Sequence, residues 1–130
     1  MTFRRHAHKQ LLPVTSVSAT TTYTSDWMDI STFNTVGAAI TTTGTATGTV
    51  TIEVAYELAQ PADPGVRLPL NPKAVSFYVN SAIVANISTS GANTYVLETG
   101  ITSATWFRIK YVNATNSGTI QADVVAKVIG

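Results

Sequence analysis

Two histidines, His6 and His8, are the only side chains of this 130-residue chain that ordinarily titrate near neutral pH. Nucleophilic catalysis needs such a base beside the nucleophile, oriented by a third group. Both histidines lie in a short basic stretch ahead of the first predicted strand. A base on such a tether cannot hold the required geometry, so no triad is expected. His6 and His8 also form a His-x-His pair, and an extended backbone would turn both rings the same way. A metal would still need a third ligand. No Asp, Glu or Cys lies in the first 25 residues. The pair therefore reads as solvated or partner-contacting, and no metal is expected.

The acids offer little more. Glycoside hydrolysis needs two carboxyl groups roughly 5–10 Å apart in a cleft. Asp26 and Asp29 flank Trp27 and read as an edge-strand or turn pair. Glu53 and Glu57 read as a solvated strand face. Residues 44–48, GTATG, lack the lysine and following helix of a phosphate loop and read as a hairpin turn. The absence of cysteine excludes disulfides, zinc-thiolate sites and thiol catalysis. Asn86-Ile87-Ser88 and Asn113-Ala114-Thr115 match the glycosylation sequon but read as chance matches in a Thr-rich chain. No catalytic or cofactor-binding residue emerges, and no enzyme is expected.

Trp27, Trp106, Tyr23, Tyr78, Tyr95 and Tyr111 admit another chemistry. Carbohydrate-binding β-sandwiches present aromatic platforms to sugar rings. The competing reading is burial in a core or a subunit interface, where aromatics supply much of the area. Trp106 is out of phase by one with Phe107, Ile109 and Tyr111, and either parity could face inward.

The elements that must position these residues are strands. Only 12% of residues are charged, about half the usual share, which excludes a highly charged disordered chain. Twenty-two threonines and fourteen valines take up the composition, and both residue types favour strands. The length fits one domain. Period-2 alternation places Val50, Ile52, Val54 and Tyr56 on one face. The same holds for Val75, Phe77 and Val79, for Phe107, Ile109 and Tyr111, and for Ile120, Ala122, Val124, Ala126 and Val128. Weaker strands are expected at 15–22, 24–30, 35–43, 82–88 and 93–98. Eight or nine short strands separated by turn residues predict an all-β chain: an antiparallel β-sandwich, of which the jelly roll is one form. A short helical turn has room at 31–34 or in the long loop. No apolar run approaches the ~20 residues of a membrane-spanning helix, and no membrane partner is expected.

Two segments stand apart. Residues 1–13 read as an extended basic N-terminal arm, and Arg4, Arg5 and Lys9 give it +3 with no acid. The sandwich domain then runs over 14–130 and sums to −2. It lacks the basic face of a nucleic-acid-binding domain, so only the arm could touch phosphates or an acidic protein surface. Within the domain, residues 59–73 hold four of the five prolines. They read as a long Pro-rich loop that prolines keep from pairing as a strand. It is either a crossover between sheets or a clasp on a neighbouring subunit.

The C-terminal text WFRIKYVNATNSGTIQADVVAKVIG, together with GTVTIEV at 48–54, resembles small bacteriophage virion proteins of β-sandwich type, which decorate capsids or form parts of tails. The resemblance covers residues 48–58 and 104–130, and the RRHAHK arm departs from it. It implies an assembly role without catalytic residues, most simply a capsid decoration (cement) protein. A tail or baseplate subunit is the alternative within the class. A lectin-like module acting through Trp27 or Trp106 is the alternative outside it. The implied partners are the major capsid protein or another virion protein, and sister copies, with a trimer favoured. The implied place is the virion after synthesis in the host cytoplasm. Attachment is expected through Phe3, Arg4, Arg5, His6, His8 and Lys9, and subunit contact through Arg67, Leu68 and Leu70.

Overall fold

The computed structural model describes residues 6–18, 20–59, 68–70, 72–79, 82–115 and 117–128. In chain order the strands are β1 (His6–Val17), β2 (Thr21–Thr24), β3 (Met28–Asp29), β4 (Thr35–Gly44), β5 (Thr47–Ala55), β6 (Glu57–Ala59) and β7 (Leu68–Leu70). They continue as β8 (Lys73–Val75), β9 (Phe77–Val79), β10 (Ala82–Val84), β11 (Ile87–Ser90), β12 (Asn93–Ile101), β13 (Trp106–Thr115) and β14 (Gly118–Lys127). The chain is all-β, and its antiparallel sheets make a sandwich. One sheet runs β1-β14-β4-β12-β9-β10. The other runs β11-β5-β13-β2, with β3 also on β13 and β8 also on β5.

The alternation read from the sequence sets the inner faces. Along β5 and β13, Val54 faces Phe107, Ile52 faces Ile109 and Val50 faces Tyr111. All six are buried in one cluster with Ile40, Leu97, Ile120 and Val124 of the opposite sheet. Each such side chain contributes about 1.5–3 kcal/mol through removal from water. Tyr56 breaks the pattern: it follows the last residue of β5 and is 57% exposed.

The arm boundary at residue 13 needs correction for the described residues. Residues 6–13 belong to β1, which pairs antiparallel with β14 from His6 opposite Lys127 to Val17 opposite Gly118. The alternation is hidden because register shifts fall between Gln10 and Leu12 and between Leu12 and Thr15. The first lets the neighbours Leu11 and Leu12 both be buried, as one extra residue in a strand does. Pro13 is tolerated because β1 is the last strand of its sheet.

The Pro-rich segment also pairs in part. Leu68–Leu70 lies against Glu57–Ala59, with Pro69 opposite Leu58. Pro69 sits in a two-stranded ribbon, where one side of each strand needs no partner. The strands outnumber the eight or nine expected, because both outer positions of the second sheet are broken into short pieces, β6 and β7 add a ribbon, and the stretches 73–79 and 82–90 each divide into two strands. Residues 31–34 form a turn in which the Phe33 N–H donates to the Ile30 carbonyl at 2.9 Å; no helix occurs among the described residues.

Candidate interaction surfaces

The expected attachment residues fall into two groups. Phe3, Arg4 and Arg5 lie outside the described residues. His6, His8 and Lys9 lie on β1 and are all exposed. Register places His6 and His8 on the outer face, opposite Lys127 and Val125. The His8 side chain, 61% exposed, brings Nε2 to 3.9 Å from Asp123 Oδ1. At that separation and exposure the pair contributes little. Asp123 Oδ2 accepts instead from Gln121 Nε2 at 3.0 Å. Among the described residues no three His, Cys, Asp or Glu side chains gather as metal ligands.

The loop residues divide similarly. Arg67 lies outside the described residues. Leu68 and Leu70 are strand residues of β7, opposite Ala59 and Glu57.

The second sheet's outer face carries a cluster that the sequence reading missed. Arg108 and Glu53 are directly opposed on β13 and β5. Arg108 Nε donates to Glu53 Oε1 at 2.9 Å, and the guanidinium stands 4.2 Å over the Trp27 ring. The two charged side chains are only 23% and 15% exposed. Glu53 is thus half of a sheltered ion pair, and the solvated-face reading is corrected for it. One face of Trp27 is covered by that guanidinium. Trp106 is partly buried, with its indole Nε1 buried and without a hydrogen-bond partner. Asp29 fulfils the turn reading: its Oδ1 accepts from the Ser31 N–H at 2.9 Å.

Inside the sandwich lies a polar network. The Tyr111 hydroxyl donates to Asn113 Oδ1 at 2.9 Å, and Asn113 Nδ2 donates to the Ser18 carbonyl at 2.7 Å. Thr89 Oγ1 accepts from the Gly48 N–H at 3.0 Å and lies 3.4 Å from the Tyr111 hydroxyl. Asn113 is fully buried, so the second sequon marks a structural asparagine. The spacing from Tyr111 to Asn113 was the available signal, since residues two apart on a strand share a face. At the mouth of this region the Ser18 N–H donates to the Tyr23 hydroxyl at 3.2 Å. That backbone donor favours the phenolate and holds Tyr23 below its ordinary pKa.

An open cleft of about 180 Å³ lies against Val54, Tyr56, Val75, Ser76, Thr99 and Thr102, with no titratable group except Tyr56. The described surfaces present strand edges, hydroxyl-rich faces and a few apolar side chains.

No family model and no curated protein matches this sequence. Two solved structures share its fold. The SPBc2 prophage-derived protein YomS superposes with a TM-score of 0.61 at 16% identity, over 96% of both chains. A chain from the structure of infectious bursal disease virus, Gx strain, superposes with a TM-score of 0.58 at 11% identity. It matches 99% of this chain, which spans only 34% of the viral one. Both neighbours come from a phage or a virus, and at these identities what they share with this chain is the β-sandwich.

Proposed function

We propose that this chain is a virion structural protein, and within that class a capsid decoration protein that binds a head surface and stabilises it by contact. The observation that carries the reading is the likeness in fold to a prophage-derived protein along 96% of both chains. The viral neighbour and the resemblance of residues 48–58 and 104–130 to small phage virion proteins point the same way. The partners in this reading are a major capsid protein or another virion protein, and sister copies of the chain.

Attachment would use the outer edge of β1, where His6, His8 and Lys9 are exposed, together with Phe3, Arg4 and Arg5. Subunit contact would use Arg67, Leu68 and Leu70. The test is immunogold labelling of particles from the source culture with an antibody against the chain. Gold on the head supports decoration. Gold confined to the tail replaces it with the tail or baseplate reading. A lectin-like module would have to use the uncovered face of Trp27, since Arg108 lies over the other, or the partly buried Trp106.

A further inference from the structure

Three exposed apolar side chains lie on the outer face of the first sheet, on β10, β9 and β12. Ile83 of β10 stands opposite Tyr78 of β9, Tyr78 stands opposite Glu98 of β12, and Val96 lies two residues along β12 on the same face. Ile83, Tyr78 and Val96 are 66%, 42% and 61% exposed. β10 is also the last strand of its sheet, so one side of its backbone has no neighbouring strand among the described residues. An unpaired edge with apolar side chains is a template for another strand.

The other outer strands are charged or lack a large exposed aliphatic side chain; β2, at the end of the second sheet, is uncharged but reads Thr21-Thr22-Tyr23-Thr24. β1 bears His6, His8 and Lys9, with Pro13 and two register shifts farther along. β3 ends on Asp29, β8 begins on Lys73, and β11 turns only Ser88 and Ser90 outward. Pairing a charged edge with its own copy sets like charges near one another, which is unfavourable. β10 reads Ala82-Ile83-Val84 and carries no charge, so its own copy meets no like charge there.

We propose that two copies of this chain join through β10, antiparallel about a two-fold axis, so that the first sheet continues from one protomer into its partner. A two-fold contact is self-complementary. It sets Ile83 beside its counterpart, with Tyr78 flanking on each side. A three-residue edge covers far less than the roughly 1,200 Å² of a stable interface, so the dimer is weak and forms with rising concentration. This contact does not depend on the virion reading, and a trimer would need a different surface.

The test is sedimentation equilibrium of the full chain from about 1 μM to about 1 mM, the range in which weak dimers form. Ile83→Lys, Val96→Lys and Val14→Lys are run beside it, each checked for fold by circular dichroism. Val14 is as exposed as Val96 but lies on β1. The expected result is a monomer–dimer equilibrium whose Kd rises at least about tenfold in Ile83→Lys, a loss of about 1.4 kcal/mol. Val14→Lys leaves it unchanged, and Val96→Lys moves it less than Ile83→Lys. A monomer at every concentration, a trimer, or a dimer that Ile83→Lys leaves intact overturns the proposal. Equal loss in Val96→Lys and Ile83→Lys also overturns it, because the contact would then be face to face.

Discussion

Arg108 stands directly across from Glu53 on adjacent strands, its Nε 2.9 Å from Oε1 and its guanidinium 4.2 Å above Trp27. The three side chains come from β13, from β5 and from the segment between β2 and β3. The pair therefore fastens two strands and an outer connection together on one face. With both charges mostly sheltered, removing one leaves the other poorly solvated. Glu53→Gln or Arg108→Gln should each cost about 1–3 kcal/mol, and the double variant less than their sum. Urea unfolding of all four proteins measures the coupling. Full additivity would contradict a direct interaction.

Gly48 and Gly118 lie where neighbouring backbone comes too close for a side chain. A Cβ at Gly48 would stand 2.3 Å from the Val112 carbonyl oxygen and 2.8 Å from the Tyr111 hydroxyl. At Gly118 it would stand 1.9 Å from the Thr43 carbonyl oxygen. At Gly37 the nearest atom is 3.4 Å away. Gly48→Ala and Gly118→Ala should each destabilise by about 2 kcal/mol or more, and Gly37→Ala by less than about 1. Thermal unfolding followed by circular dichroism orders the three.

Tyr111 and Asn113 are fully buried and hydrogen-bonded to each other, and Asn113 ties them to the carbonyl of the exposed Ser18. Asn113→Ala removes the acceptor at 2.9 Å from the Tyr111 hydroxyl, leaving it Thr89 Oγ1 at 3.4 Å, and should cost about 1–3 kcal/mol. Tyr111→Phe keeps the ring and should cost less, about 1–2 kcal/mol. Urea unfolding of each variant measures both losses. A neutral Asn113→Ala would mean that the network adds nothing.

Much of this fold is legible from alternation. Phe107, Ile109 and Tyr111 are inward, and Ile120, Ala122, Val124 and Ala126 face them from the other sheet. The reading fails where the period is interrupted. Leu11 and Leu12 are adjacent and both buried, which a register shift permits, so two-thirds of β1 read as an arm. Pro69 read as a loop residue because proline removes a donor, but at the margin of a ribbon that donor is not needed. The Glu53–Arg108 pair was hidden for another reason. Its partners are 55 residues apart, and strand order is not encoded in the period of either strand.

If the basic residues at the start of the chain hold it on an acidic shell, their charge should set its salt dependence. Replacing Arg4, Arg5 and Lys9 by Ala should weaken particle binding at low salt and flatten the loss of occupancy as salt rises. Cosedimentation with particles across a salt series measures this. Equal occupancy of wild type and variant at every salt concentration would refute attachment by this segment.

The claim that matters most is residence in the virion. Particles from the source culture, banded on a density gradient and analysed by quantitative mass spectrometry, test it directly. The account predicts this chain in the particle band, at a fixed ratio to the major shell protein across successive purifications. Its absence from that band, or a ratio that falls with each purification, would contradict the account.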